Sequence, residues 1–197
     1  MPTVDDIMPQ YRRALAQADQ IVALVHGGDL ARSTPCTGWD LQALLNHMIG
    51  QNHGFAAAVT TGDAPASVYA RASVTADDLA SQWRRSADQV LAAFAHADND
   101  AEVLLIEVNE DSTFSVAAAI RMHLLDTVVH TWDLARSVGT SFRPEDELLD
   151  IVAAVAERVP IGASRTRLGA AFAPPVITEQ PDPWLETLAL LGRQEAT

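Results

Sequence analysis

Residues 113–138, TFSVAAAIRMHLLDTVVHTWDLARSV, are the longest clean apolar-rich segment of the chain. Apolar residues recur along it with the spacing of an α-helix. Gly139 follows directly, and glycine just past the last periodic residue is typical of a helix end. The segment therefore predicts one long helix.

A polar stripe runs along this predicted helix. Asp126 and His130 are four residues apart and so lie on one face, and His123 joins them from three residues before Asp126. Asp133 and Ser137 extend the stripe. An ordinary amphipathic helix that faces water would also place polar residues on one side. Solvated faces, however, usually carry long charged side chains, and this stripe consists of imidazoles, short carboxylates and a hydroxyl.

Metal chemistry gives a reason for this spacing. An imidazole nitrogen and a carboxylate oxygen at positions i and i+4 can hold one ion without bending the helix, and a facing helix can supply a third ligand. His47 is the candidate, because on a helical wheel it lies about 120° from the polar face formed by Gln42, Asn46 and His53. We expect His53 to be solvated and His47 to face another helix. Three protein ligands leave positions open for water or substrate.

The rest of the chain also reads as helical. The second helix is predicted to start at Thr37, because residues 37–40 (TGWD) have the form of a capping box. Long helices with little strand signal indicate an all-α bundle in a single domain, with a core at about 3–140 and a C-terminal extension at about 141–197. Helices are predicted at about 3–26, 37–59, 76–96, 113–138, 144–159 and 184–191, with an extended connector at 101–112 and a proline-rich loop at 160–183.

Composition narrows the classes of partner. The 197 residues carry a net charge of −13, which argues against nucleic acid or an anionic membrane as the main partner. The single cysteine, Cys36, excludes an intrachain disulfide and fits a cytoplasmic protein. We interpret it as a packing residue before the second helix rather than as a nucleophile. We find no signal peptide and no apolar run near the roughly 20 residues that span a bilayer.

Two motifs resemble a known family. The run TPCTGWD at 34–40, which continues to His47, resembles the start of the second helix in the DinB-like superfamily, and more closely the metal-binding domain of the mycothiol-dependent maleylpyruvate isomerase family. The run RMHLLDTVVHTWDLA at 121–135 resembles the signature on that family's last core helix, and LLGR at 190–193 resembles the C-terminus of some members. The resemblance implies a DinB-like four-helix bundle with one long crossover connection, followed here by short C-terminal helices.

The resemblance also implies a metal site. The family's ligands correspond to His47, Asp126 and His130, its metal is usually Zn²⁺ with Ni²⁺ as an alternative, and its thiol cofactor is mycothiol. The family's isomerase has glutamate at the position of Asp126. Because aspartate is one methylene shorter than glutamate, His123 is a candidate additional ligand. That isomerase also has a further C-terminal domain that completes its substrate site, whereas a proline-rich loop and a short helix follow residue 160 here. Further candidates are His123, Asp133 and Gln51 as additional ligands or as residues that orient the ligands, and Trp39 and Trp132 as cleft lining or core.

Three functions fit these residues. The first is a metal-dependent transferase or isomerase that uses a small-molecule thiol. The second is a metal-dependent hydrolase, in which the same ion would activate water. The third is a protein without turnover that binds a small molecule or pairs with a second copy of itself as a homodimer.

Overall fold

Helices make up most of the chain in the computed structural model, which describes residues 3–70, 72–166 and 172–194. The predicted all-α class is therefore confirmed. The chain divides into two units, Met1–Phe142 and Arg143–Thr197. Within the described ranges, no helix is both long enough and apolar enough to cross a membrane.

The first unit is a four-helix bundle. The long helices α1 and α2 both pack against the later helices α4 and α5. The polar stripe of α5 therefore has α1 on one side and α2 on the other. The helices are α1 (Val4–Val22), α2 (Leu41–Thr61), the short α3 (Ala66–Tyr69), α4 (Leu79–Ala95) and α5 (Val116–Val138).

Helix α2 begins later than its sequence pattern suggested. The predicted capping box at Thr37 is wrong, because Asp40 is the residue that caps the helix: its Oδ1 accepts a hydrogen bond of 2.8 Å from the backbone N–H of Ala43. Gly38 has a φ of +83°, a left-handed conformation that glycine adopts without strain. Residues 37–39 therefore form a turn that precedes the helix.

The predicted connector before α5 contains a small hairpin. Strand β1 (Glu102–Leu104) pairs antiparallel with β2 (Thr113–Ser115), with Val103 opposite Phe114. The predicted start of α5 at residue 113 is wrong for this reason, since residues 113–115 are extended. Ser115 then caps the helix, its side chain accepting from the N–H of Ala118.

The polar face of α2 does not simply meet water. The Asn46 side chain accepts a 2.7 Å hydrogen bond from the N–H of Val74, and Gln42 Nε2 donates to the carbonyl of the same residue at 2.6 Å. His53 is half-buried and lies 3.0 Å from Gln89 Oε1 on α4. The expectation of a solvated His53 is therefore only partly right, because this face holds a chain segment and a neighbouring helix in place.

The second unit contains α6 (Asp146–Ala156) and α7 (Pro183–Leu190), which pack against each other. Asp182 caps α7 by accepting hydrogen bonds from backbone N–H groups of its first turn. The same carboxylate accepts a 2.8 Å hydrogen bond from the guanidinium of Arg143. Arg165 is buried in this unit. Its guanidinium donates to the backbone carbonyls of Val159, Pro160 and Leu190. Residues 167–171 of the predicted proline-rich loop lie outside the described residues.

Candidate metal centre

Three side chains from α2 and α5 converge on one point. Asp126 Oδ1 lies 3.4 Å from His47 Nε2 and 3.3 Å from His130 Nε2. The three ligand atoms all lie within 4.8 Å of one another. The pair on α5 meets because i and i+4 are neighbours on a helix face, and α2 brings His47 opposite them.

The spacing of these atoms fits a divalent cation. Zinc bonds of about 2.0–2.2 Å in tetrahedral geometry place neighbouring ligand atoms about 3.3–3.6 Å apart. The two distances from Asp126 Oδ1, 3.3 and 3.4 Å, lie in that range. Two imidazoles and one carboxylate are also ligand types that zinc and nickel accept. The residues present therefore fit such an ion.

The charged groups at the centre shift one another's pKa values. Burial alone would lower the pKa of His130, but the adjacent Asp126 carboxylate raises it well above its usual value. Burial would likewise raise the pKa of Asp126, but His130 and His47 hold it well below its usual range. The carboxylate thus attracts positive charge at this point, whether the charge is a proton or a metal ion.

The centre is open on one side. The side chains of His47 and Asp126 are 17% and 15% exposed, whereas that of His130 is fully buried. A molecule from solvent therefore reaches the centre past His47 and Asp126. The indole of Trp39 forms part of this opening, its ring centroid 4.9 Å from that of His47 and 6.1 Å from that of His130.

Behind His130 lies a second group of polar residues. Asp133, one turn further along α5 and fully buried, accepts from His130 Nδ1 at 2.9 Å through its Oδ2. The thiol of Cys36 donates to the same oxygen at 3.1 Å, and its sulfur lies 3.8 Å from His130 Nδ1. A carboxylate on the far nitrogen of a ligand histidine is common in metal sites, since it fixes the tautomer and the ring orientation.

A structured loop, residues 33–40, carries Cys36 and Trp39 to the centre. Ser33 and Asp40 pair as an isolated antiparallel bridge at its base. Inside it, Thr34 Oγ1 donates to the carbonyl of Trp39 at 2.9 Å and accepts from the N–H of Cys36 at 3.1 Å. These bonds hold the backbone at Cys36 and Trp39. Sequence reasoning interpreted Cys36 only as a packing residue and missed its contact with Asp133.

His123, the candidate additional ligand, lies in a different environment. Its Nδ1 is 2.9 Å from the hydroxyl of Tyr11 on α1 and 3.3 Å from that of Thr127. Its ring is surrounded by aromatic side chains, with Phe55 at 4.7 Å between centroids. Burial lowers its pKa to about 4, so the ring is neutral near pH 7. In the described part of the chain it belongs to neither cluster of closely spaced ligand atoms.

The remaining candidates are distributed around the centre. Gln51 is buried one helical turn after His47 on α2. Trp132 is buried in the core, with the guanidinium of Arg136 at 6.0 Å over its ring. Of the two tryptophans proposed as cleft lining, Trp39 is therefore the one that contacts the histidines of the centre.

Comparisons with known proteins show which family and which fold this chain resembles. The sequence profile of the mycothiol maleylpyruvate isomerase N-terminal domain matches residues 11–135, which include the whole centre. No curated protein matches the chain significantly. The crystal structure of the mycothiol-dependent maleylpyruvate isomerase has a similar fold, with a TM-score of 0.59 at 16% identity over 79% of this chain and 70% of that one. A histidine-to-alanine mutant of that isomerase aligns with a TM-score of 0.57 at 15% identity, covering 79% of this chain and 68% of that one.

Proposed function

The chain belongs to the mycothiol maleylpyruvate isomerase N-terminal domain family, and from that premise we propose that it binds one divalent metal ion through His47, Asp126 and His130. Zn²⁺ is the proposed metal and Ni²⁺ the alternative. The observation that supports this is the placement of one Asp126 oxygen within 3.3–3.4 Å of both histidine nitrogens, which matches the spacing of ligand atoms around zinc.

We further propose that the protein is a thiol-utilising transferase or isomerase whose cofactor is mycothiol or a similar small-molecule thiol. A bound divalent ion would stabilise the sulfur of that thiol as thiolate, the nucleophilic form. The supporting observations are the family membership and the partial exposure of His47 and Asp126, which leaves the centre accessible to a ligand. A reduced thiol cofactor and a chain with a single cysteine both suit the cytoplasm, where we place the protein.

The residues of the chain have separate parts in this proposal. Asp133 and the buried environment of His130 hold that imidazole in one orientation, so that Nε2 faces Asp126. His47 and Asp126 hold the side of the centre that faces solvent. The Trp39 indole lies beside both histidine rings at the opening and would limit the water that reaches a bound ion.

Metal content tests the first part of the proposal. Purified wild-type protein reconstituted with Zn²⁺ and freed of excess metal should hold one ion per chain by elemental analysis. His47→Ala should hold almost none, because the remaining pair provides two ligands only. His53→Ala is the matched control on the same helix and should retain the metal. Equal metal in all three proteins would contradict the proposed site.

Calorimetry tests the second part. Mycothiol should bind the zinc-loaded protein and should bind the metal-free protein far more weakly. Hydrolysis of an ester or amide without thiol, abolished by a chelator, would instead identify the protein as a metal-dependent hydrolase. Metal binding with neither result would favour a protein without turnover.

A further inference from the structure

We propose that Cys36 is a positioning residue of this centre: its thiol holds the Asp133 carboxylate, and that carboxylate holds the ring of His130. The inference rests on the proposed metal-binding function and assigns a role to a residue outside the three ligands. The loop at residues 33–40, which carries Cys36, then contributes to the geometry of the centre.

The contacts form a chain through one oxygen atom. Asp133 Oδ2 accepts from the Cys36 thiol at 3.1 Å and from His130 Nδ1 at 2.9 Å. The other ring nitrogen of His130 faces Asp126 Oδ1 at 3.3 Å. With the proton on Nδ1, the lone pair of Nε2 is available to a metal ion. The thiol thus acts on the centre through two hydrogen bonds in series.

The thiol donor is held in place by its loop. The Cys36 N–H donates to Thr34 Oγ1 at 3.1 Å, and the Cys36 carbonyl accepts from the Trp39 N–H at 3.0 Å. At the base of the loop, the Leu41 N–H donates to the Arg32 carbonyl at 2.8 Å. Because the backbone is fixed on both sides, the thiol keeps its contact with Asp133 at little additional cost in entropy.

Burial of the carboxylate makes each of its hydrogen bonds count. Asp133 has no exposed surface, so water cannot readily replace a lost hydrogen bond. Loss of the thiol donor would weaken the hold on the carboxylate oxygen and, through that oxygen, on the His130 ring whose Nε2 faces Asp126. A serine at position 36 would still offer a hydroxyl donor, whereas an alanine would offer none.

The alternative interpretation is that Cys36 binds the metal directly. Cys36, His130 and Asp133 do bring three ligand atoms within 4.8 Å of one another. That arrangement would use His130 Nδ1 for the metal, yet Nδ1 already pairs with Asp133 at 2.9 Å while Nε2 faces the triad. We therefore assign the thiol to the hydrogen-bond chain.

Zinc affinity, measured by competition with a chelator of known affinity, is the first test. Cys36→Ala should bind Zn²⁺ about 10-fold more weakly than wild type, the usual size of effect for residues that support metal ligands, and Cys36→Ser should stay within about 3-fold. Thr37→Ala, an exposed change in the same loop, should have no effect. Wild-type affinity in Cys36→Ala, or equal losses in the serine and alanine variants, would overturn the inference.

A second measurement does not need the metal. In metal-free protein, the His130 ring N–H bonded to Asp133 should give a slowly exchanging, downfield proton resonance in the NMR spectrum. In Cys36→Ala this signal should exchange faster and move upfield, and in Cys36→Ser it should be preserved. An unchanged resonance in Cys36→Ala would overturn the inference. If wild-type protein binds no metal, the proposed function fails, and this resonance alone decides whether the thiol positions His130.

Cobalt separates a positioning residue from a ligand. Wild-type protein loaded with Co²⁺ should show no sulfur-to-cobalt charge-transfer absorption, since the thiol contacts Asp133 and does not bind the metal. A charge-transfer band that disappears in Cys36→Ser would show Cys36 to be a ligand and would overturn the assignment.

Discussion

His123 and His130 lie two helical turns apart on the same face of α5, and both are buried, yet the bundle surrounds them differently. His130 meets two carboxylates, one at each ring nitrogen, and Asp126 raises its pKa well above the usual value in spite of burial. His123 meets the Tyr11 hydroxyl and aromatic rings, and burial lowers its pKa to about 4.

The difference shows that the chemistry of a buried histidine is set by the elements packed around it. Helix α2 and the loop at residues 33–40 bring polar partners to His130. Helix α1 and the far half of α2 bring Tyr11 and Phe55 to His123. One end of the stripe is therefore suited to a cation, and the other end is suited to a neutral imidazole in the core.

The largest expected difference between the two histidines is in metal binding. His130→Phe should lower Zn²⁺ affinity at least about 100-fold, because it removes a ligand together with the hydrogen bond that its ring donates to Asp133. His123→Phe should stay within about 3-fold of wild type, since aromatic rings already surround that position. Chelator competition measures both. Comparable losses would show that His123 is a ligand, as its place in the stripe first suggested.

The next effect concerns stability as a function of pH. The folded chain protonates His123 only near pH 4, whereas the unfolded chain does so near 6.5, so this residue costs stability as the pH falls between those values. The reference is the double variant Tyr11→Phe/His123→Phe, which removes the Tyr11–His123 hydrogen bond. Relative to it, the free energy of unfolding of wild type should fall by about 3 kcal/mol from pH 7.5 to 4.

Urea unfolding of metal-free protein at a series of pH values provides this measurement. Subtracting the double variant removes the contribution of the other titrating groups, including His130, whose raised pKa stabilises the fold at low pH and loses that effect as the pH rises. Parallel pH profiles for the two proteins would show that burial does not perturb His123.

A smaller effect is expected from substituting the residues that contact the His130 and His123 rings. Asp133→Asn should weaken Zn²⁺ binding about 10-fold, because the amide accepts from His130 and Cys36 less strongly than the carboxylate does. Thr127→Val, the corresponding change beside His123, should leave the affinity unchanged. If both variants bind zinc as wild type does, the surroundings of His130 have no part in metal affinity.

Local signals predicted much of the fold. Gly139 marks the end of α5 correctly, because its φ of +77° is a conformation that favours glycine. The start of α5 was wrong because residues 113–115 pair with residues 102–104, and helical periodicity contains no information about that partner. The start of α2 was wrong because Thr37 and Asp40 are both good caps, and only the turn at Gly38 decides between them.

For the candidate centre too, local patterns predicted some residues and could not reveal others. Spacing on one helix selects Asp126 and His130, and a weakly polar helix face selects His47; the structure brings these three together, while metal binding stays a prediction. Nothing local connects Cys36 with Asp133, which are 97 positions apart. Likewise, no local pattern connects His123 with Tyr11 on another helix, although the Tyr11 hydroxyl lies 2.9 Å from His123 Nδ1.

The smallest effect tests whether the centre depends on helix stability in general. Asp40 caps α2 through the N–H of Ala43, and Asp40→Ala should lower the free energy of unfolding by about 1 kcal/mol. Zinc affinity should not change, because the loop at residues 33–40 keeps its own backbone bonds and His47 lies well inside the helix. Urea unfolding and chelator competition on the same samples separate the two quantities. A parallel loss of zinc affinity would mean that His47 and His130 respond to any weakening of the bundle, and the contrast with His123 would then reflect stability rather than local partners.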